Sequence, residues 1–462
     1  MERRIHRSVR GFWRHLKGPS VPHGRSPPRY PDAVPATIWR NPAFVRVFSA
    51  ATVSIFGSLV TRTALPFAAI LVLGAGPLEI AAIRACEILG GLIVGLVAGA
   101  WVDRLRRRPV MIAADLGRGV LLATIPVAAL GELLSIAQLV VVAFLTSVLT
   151  AFHNVADTAY LPTVVEADQL VGANSALAAS GSVAEFSAFS IGGFLVQILS
   201  APIAIAVDAV SFVVSAAVLG TIRRPEAPPR PAADREPLLA EIRDGLRPIL
   251  RSPILRSLAA ASSAAHLLWG AYGSVYLIFA TEELGLGPAT IGIIAAAGGA
   301  ASFVGAILAE RTSRRIGIGP SILVGLGAFT IGNALIPIAP AGAVAVAIAL
   351  LVAQQLIGDS GGTIYEINEL SLIQTMVPNA VLGRVSSALE FLTHLWLLVG
   401  TIAGGLIGEA LGSRAALGFG VLGGVAAIAF LVISPLRDVR TVATQPARGA
   451  SLPPPDELPL TE

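Results

Sequence analysis

The stretch Gly99-Ala-Trp-Val-Asp103-Arg104-Leu-Arg106-Arg107-Arg108-Pro109 places one carboxylate and four guanidinium groups between two long apolar runs. Arginines this dense cannot enter hydrocarbon, so they hold the turn in water, and the positive-inside bias puts that water on the cytoplasmic side. Pro109 opens the next helix, where its missing N–H costs least. Asp103 falls at the C-terminal end of the preceding helix, where the dipole disfavours a carboxylate. It needs a cation or a helix N-terminus from elsewhere, and Arg384, opening a later helix on the same side, offers both. The chemistry predicted is that of a gate. Asp103 pairs with Arg384, or with the backbone at that helix start, and holds the cytoplasmic face shut. Gly99, Arg104, Arg107 and Arg108 form the rest of the gate. The alternative is a loop that only sets topology, but an acid has no topological use there.

Further ionisable groups sit inside apolar runs, where each costs roughly 2.5–3.5 kcal/mol and marks a functional candidate. Counting from the external ends at about 1.5 Å per residue gives relative depth. Arg62 and Glu87 come out at mid-depth, and Arg84 and Asp208 nearer the outside. Arg84 and Glu87 share a helix face. This cluster could bind an anionic substrate group, couple proton movement, or lock the bundle statically. Asp115 and Arg118 also share a face, beside the basic turn, and read as structural. Glu390 and His394 are four residues apart, and a carboxylate beside an imidazole can hold a proton near neutral pH. The competing reading is a packed or capping histidine. Trp269 and Tyr272, with His266 and Tyr276, recur at helical steps and could stack on an aromatic substrate; packing is the alternative. Gln354, Gln355 and Asn333 are either cavity-lining or interhelical hydrogen bonders. There is no spacing for a metal site, a nucleotide loop or a nucleophile elbow, so neither cofactor, metal nor enzymatic activity is expected. The single Cys86 rules out a disulfide within the chain.

The elements that must position these groups are membrane helices. Of 462 residues, 54% are hydrophobic and only 13% charged, with a mean hydropathy of +0.76. Apolar runs at 46–73, 78–101, 109–131, 136–158, 173–199, 203–222, 257–280, 288–309, 317–339, 342–364, 384–411 and 415–435 predict an all-α polytopic fold of about twelve spans. With both termini cytoplasmic, Arg414 is the only basic residue left in an external loop, apart from Arg62, Arg84 and Arg118 within helices. That bias fixes the orientation in the plasma membrane and argues against nucleic acid as the partner of the basic charge. Residues 1–40 read as a basic tail without the apolar core of a signal peptide. Residues 41–222 form one six-helix bundle, and 223–256 a linker with an amphipathic helix from Glu236. Residues 257–436 form a second bundle, and 437–462 a polar tail.

The halves repeat. Asp103-Arg104-x-x-Arg107-Arg108 returns as Glu310-Arg311-x-x-Arg314-Arg315, 207 residues on. The segment from Val165 through Leu170 and Ser175 to Leu177 returns from Val377 through Leu382 and Ser387 to Leu389, 212 residues on. Duplicated halves suit a transporter that rocks them about a central site.

On the Gly99–Pro109 signature, and on Thr61-Arg-Thr-Ala-Leu-Pro66, Asp115-Leu-Gly-Arg118, Asp208-Ala-Val-Ser-Phe212 and Leu382-Gly-Arg-Val-Ser386, the chain resembles the major facilitator superfamily. It looks most like the branch containing the enterobactin exporter and the macrolide-efflux proteins. The resemblance covers residues 41–436. It implies twelve helices in two pseudo-symmetric bundles and, commonly, export driven by the proton gradient, by a monomer, of a small amphipathic molecule such as a drug, macrolide or siderophore. An importer, or a non-transporting sensor or lipid-handling protein of the same fold, remains open. The second signature copy departs from the pattern, with Glu310 for Asp and uncharged Thr312 and Ser313.

Overall fold

The computed structural model describes residues 38–102, 105–166, 168–224, 226 and 246–440. Twelve helical segments appear there at the twelve expected places, and no strand occurs among the described residues. They are α1 (Pro42–Leu73), α2 (Pro77–Val102), α3 (Arg107–Leu130), α4 (Ile136–Val164), α5 (Leu170–Leu199) and α6 (Ala201–Gly220). After the linker come α7 (Pro253–Ile278), α8 (Pro288–Ile316), α9 (Ile318–Ala334), α10 (Val344–Met376), α11 (Asn379–Leu411) and α12 (Ser413–Ile433). Of the linker, residues 246–251 are helical. The helix expected from Glu236 and both tails otherwise lie outside the described residues. Eight of the described helices, or up to nine, are long and apolar enough to cross a membrane.

Local chemistry sets the ends. The Asn41 side chain caps α1 by accepting from Ala43 N at 3.1 Å, and Pro42 follows at the first helical position. Gly74 closes α1 at φ +63°, a left-handed turn that residues with a side chain resist. Ser135 and Ser252 cap α4 and α7 in the same manner as Asn41.

Several helices differ from their expected extents: α4 runs past 158 to Val164, and α11 begins at Asn379 rather than 384. α8 does not stop at 309 but carries on through Glu310–Arg315, because the chain first breaks at Gly317, at φ +95°. The second signature copy is therefore helical, with Glu310 and Arg314 paired at 2.6 Å across one turn. α9 is shorter than expected and ends at Ala334. α10 does not stop at 364 but runs to Met376, with a π-turn at Gln355–Asp359.

α1 packs on α5 and α6, α2 on α4, and α3 on α4 and α6. In the second half α7 packs on α11 and α12, and α10 on α8 and α9. Between the halves the main crossings are α5 with α8 and α2 with α11. The apolar core divides accordingly. At the end that carries Pro77 and Pro288, one cluster joins residues of both halves, from Ala64 and Ile80 to Tyr272 and Leu417. At the arginine-rich end there are two clusters, one around Phe44, Tyr160 and Leu219 and one around Leu258, Leu326 and Leu372. Small residues close the shared end. A Cβ on Gly193 of α5 would lie 2.5 Å from the Pro288 carbonyl of α8, and one on Gly408 of α11 would lie 2.9 Å from Pro77 Cβ.

Candidate functional site

A cavity of about 490 Å³ lies within the first half, between α1, α2, α3, α4 and α6. It runs from Leu65, Pro66 and Ala143 near the closed end to Ala51 and Asp157 nearer the arginine-rich end. Its lining mixes apolar side chains with hydroxyls and with six charged residues, Arg62, Arg84, Glu87, Arg118, Asp157 and Asp208. Arg62, Arg84, Glu87 and Asp208, the four ions predicted to cluster, all reach it.

Their pairing differs from what depth alone suggests. Arg62 pairs with Glu185 of α5 rather than Glu87. Arg84 turns along its own helix to Glu87, at 3.0 Å. Among the described residues Asp208 pairs with no arginine; its carboxylate accepts from Thr61 Oγ1 at 2.5 Å and Ser211 Oγ at 2.9 Å. The approach of α1 and α6 here is tight, since a Cβ on Gly57 would overlap both Asp208 and Ser211. A cavity wall so composed offers fixed dipoles and both signs of charge to a small molecule, in a medium where each counts for more than in water.

Part of the wall is itself a tied network, since Arg118, Thr150 and Phe212 line the cavity. Asp115 and Arg118 pair on α3, both buried. Ser215 donates to Asp115 at 2.7 Å, Arg118 donates to Thr150 at 3.3 Å, and the guanidinium lies 4.1 Å from the Phe212 ring centroid. The Asp115 carboxylate is held on both oxygens, as a structural tie requires, whereas Arg118 Nε and the neighbouring His153 Nε2 have no hydrogen-bond partner.

At the signature loop, Asp103 and Arg104 lie outside the described residues, as does the side of Gly99 that would face a neighbour. What is visible is a cap. The Glu226 carboxylate, from just past α6, accepts from the backbone N–H of Arg107 at 2.7 Å and of Arg108 at 3.1 Å. An acid at a helix N-terminus is where the dipole favours it. The Arg108 side chain reciprocates at the C-terminal end of α6, donating to Leu219 O at 2.8 Å and also to Gly220 O. Arg384 is exposed on α11, which begins at Asn379, so it sits more than one turn inside the helix rather than at its start.

In the second half the predicted residues scatter. His394 Nδ1 lies 2.9 Å from the backbone carbonyl of Glu390, not beside its carboxylate. Tyr272 is buried and donates to Asn333 O at 2.5 Å, an interhelical tie. Trp269 is half exposed, its ring 5.8 Å from that of Phe329. Sequence reasoning passed over His153, Asn154 and Asp157 on α4 and Glu366 and Glu369 on α10. The α4 residues lay at the edge of a predicted span, and the α10 pair beyond one. Glu226 left no local signal, because its partners are backbone groups over a hundred residues away.

The comparisons agree with this architecture. The family model described as Major Facilitator Superfamily matches residues 47–400. The multidrug efflux pump Tap of Mycolicibacterium fortuitum is 27% identical over 387 residues, covering 81% of this chain and 91% of that protein. Tap of Mycobacterium tuberculosis (strain ATCC 25618 / H37Rv) is 28% identical over 388 residues, covering 81% and 89%. Among solved structures, the nucleoside transporter NupG superposes with a TM-score of 0.67 at 14% identity, over 84% of this chain and 98% of that one. A bacterial homologue of the iron transporter ferroportin, in an inward-facing state, does so with 0.64 at 18% identity, over 84% and 99%. With twelve helical segments, halves that meet at one end, and a family match across most of its length, this chain is a multi-pass membrane transporter that belongs to the Major Facilitator Superfamily.

Proposed function

We propose that the chain is a proton-coupled exporter of small amphipathic molecules, acting as a monomer in the plasma membrane with both termini in the cytoplasm. The arginine-rich end is then cytoplasmic, and the split core at that end corresponds to a state open to the cytoplasm and closed outside. The bundles rock about the central site, so that the closed end parts and exposes the cavity on the other side. In that outward-facing state Asp103 meets Arg384 or the first turn of α11 and holds the cytoplasmic face shut. The observation that carries this reading is the cavity in the first half, whose apolar walls and buried ions suit a molecule with both a greasy and a polar face. Drug efflux by the similar Tap pumps supports the direction and substrate class.

The test uses inverted membrane vesicles with an acid interior. Ethidium, or a member of a panel of amphipathic drugs, should accumulate inside, and its addition should release lumenal protons. Uptake across the whole panel no greater than in vesicles lacking the protein would defeat the proposal. Asp103→Asn should shift the balance of states, read as labelling of cytoplasmic-end cysteines; unchanged labelling and unchanged transport would remove the gate from the account.

A further inference from the structure

We propose that each half of the transporter carries its own proton-bearing acid, Asp157 on α4 and Glu369 on α10, at positions related by the internal repeat. The inference rests on the transport reading above and names the groups that do the coupling. Glu369 lies 212 residues after Asp157, the same offset that relates Val377 to Val165. The structure makes that offset physical. The bond that closes α4, Val165 N to Leu161 O at 3.3 Å, is repeated at the close of α10 as Val377 N to Ile373 O at 2.9 Å. Each acid is therefore seven residues inside its helix end, about 10 Å along the axis. The surroundings correspond as well: α4 packs on α2 and α3, and α10 on α8 and α9, the helices two places and one place earlier in each half.

One turn before each acid stands a buried side chain that can pass or hold a proton, and these too are 212 residues apart: His153 and Tyr365. His153 lines the cavity together with Asp157. It is only 8% exposed, and its Nε2 has no hydrogen-bond partner. That nitrogen is 3.4 Å from Asp115 Oδ1 without the angle of a hydrogen bond. An orphaned buried nitrogen one turn from a carboxylate is a place for a proton or a water carrying one. In the second half, Ser262 Oγ of α7 lies 2.8 Å from Tyr365 Oη and donates to Glu369 Oε1 at 2.5 Å. A carboxylate can only accept, whereas a carboxylic acid can donate. Gain of a proton by Glu369 therefore changes the bond that ties α10 to α7.

Each acid has titratable and charged neighbours. Sharing the cavity with Asp157 are His153, Arg118 of α3, Arg84 and Glu87 of α2, Arg62 of α1 and Asp208 of α6, with Asp115 paired to Arg118. Around Glu369 they are Tyr365 and Glu366 of its own helix; of the helices that meet α10 there, α7 carries Arg256 and His266, α8 carries Glu310, Arg311, Arg314 and Arg315, and α9 carries no titratable residue. Among the described residues no arginine pairs with either acid. Each can thus be neutralised by a proton rather than by a fixed cation, which removes most of the cost of carrying it past hydrocarbon. Facing one side, the acid takes a proton and becomes neutral; facing the other, it releases that proton and becomes a carboxylate. Two such acids move two protons per molecule exported.

The full chain in proteoliposomes tests this, with ethidium as probe, the membrane potential clamped at zero and a pH gradient of about one unit. Each proton then supplies about 1.4 kcal/mol, a factor of about ten in accumulation, so two support about a hundredfold. Wild type should reach the hundredfold level, Asp157→Asn and Glu369→Gln about tenfold each, and the double variant none; Glu369→Gln, away from the cavity, should retain ethidium counterflow, and in Asp157→Asn accumulation should fall further than counterflow. Asp157→Glu and Glu369→Asp, which keep an acid, should couple like wild type. A double variant that accumulates like wild type overturns the proposal, and so does loss of counterflow in step with accumulation, which marks a binding group. Counterflow absent from wild type counts against the transport reading instead. Infrared difference spectra between acid and neutral pH then decide without any substrate: a carboxylic-acid C=O band that shrinks in each single variant supports the pair, and one unchanged in the double variant overturns it.

Discussion

Two arginine–carboxylate pairs in the first half show how burial decides what an ion pair does. Arg118 and Asp115 are almost wholly inside, at 4% and 0% side-chain exposure. Removing one partner strands the other charge, which costs about 3–5 kcal/mol in buried pairs. Asp115→Ala should therefore lower the thermal unfolding temperature in detergent sharply, and adding Arg118→Met should recover most of the loss. A mild effect of the single change would mean that water reaches the pair. Arg62 and Glu185 are 35% and 57% exposed beside the cavity. A pair that open contributes under about 1 kcal/mol, so Glu185→Gln should leave stability nearly intact while changing transport of whichever compound the chain moves. Loss of stability without change in transport would reverse the two assignments. Tyr272 is the counter-example among the aromatics. Its spacing invited a substrate-stacking role, but spacing does not reveal that its hydroxyl is spoken for by Asn333 O on α9.

At the scale of the element, the two signature copies illustrate what a helix boundary depends on. The first is out of the helix by Leu105 and restarts at Arg107, with Pro109 in the first turn and Glu226 on the exposed N–H groups. The second lacks a proline in that place and stays helical to Gly317. Glu226→Gln should weaken the first turn of α3 by about 1 kcal/mol, the worth of a good cap. Faster amide exchange at Arg107 and Arg108 is the measurement, and unchanged exchange would show the cap to be idle. The places of the twelve helices were legible because runs of apolar residues are long and turns carry Gly, Pro or charge. Helix ends were less so, since hydropathy marks where lipid stops and not where the backbone does. That is why α10 was cut before Glu366 and Glu369, and why its acids went unseen. Site membership was legible for Arg62, Arg84, Glu87 and Asp208, because depth is a one-dimensional quantity that residue counting supplies. Partner choice was not, because it depends on how each helix is rotated, and that is set by contacts such as Gly57 against Asp208.

For the molecule as a whole, the division of the apolar core carries the mechanical content. One cluster spans both halves at the end bearing Pro77 and Pro288, and each half has its own at the other. Interior packing is dense and has discrete arrangements rather than a continuous range. Alternating access therefore requires the shared cluster to part while the two separate ones approach. The crossing of α2 and α11 gives a direct handle, because a Cβ on Gly408 would lie 2.9 Å from Pro77 Cβ, within a small adjustment of disulfide spacing. Cys86 is the sole cysteine and can be replaced by serine to clear the background. In that background, Pro77→Cys with Gly408→Cys should cross-link readily under oxidation, stop counterflow, and regain it on reduction. Either single cysteine should leave transport untouched by oxidant. Transport that continues through a locked α2–α11 contact would mean that this end never opens, and the rocking of one half against the other would have to be replaced by a movement confined to single helices.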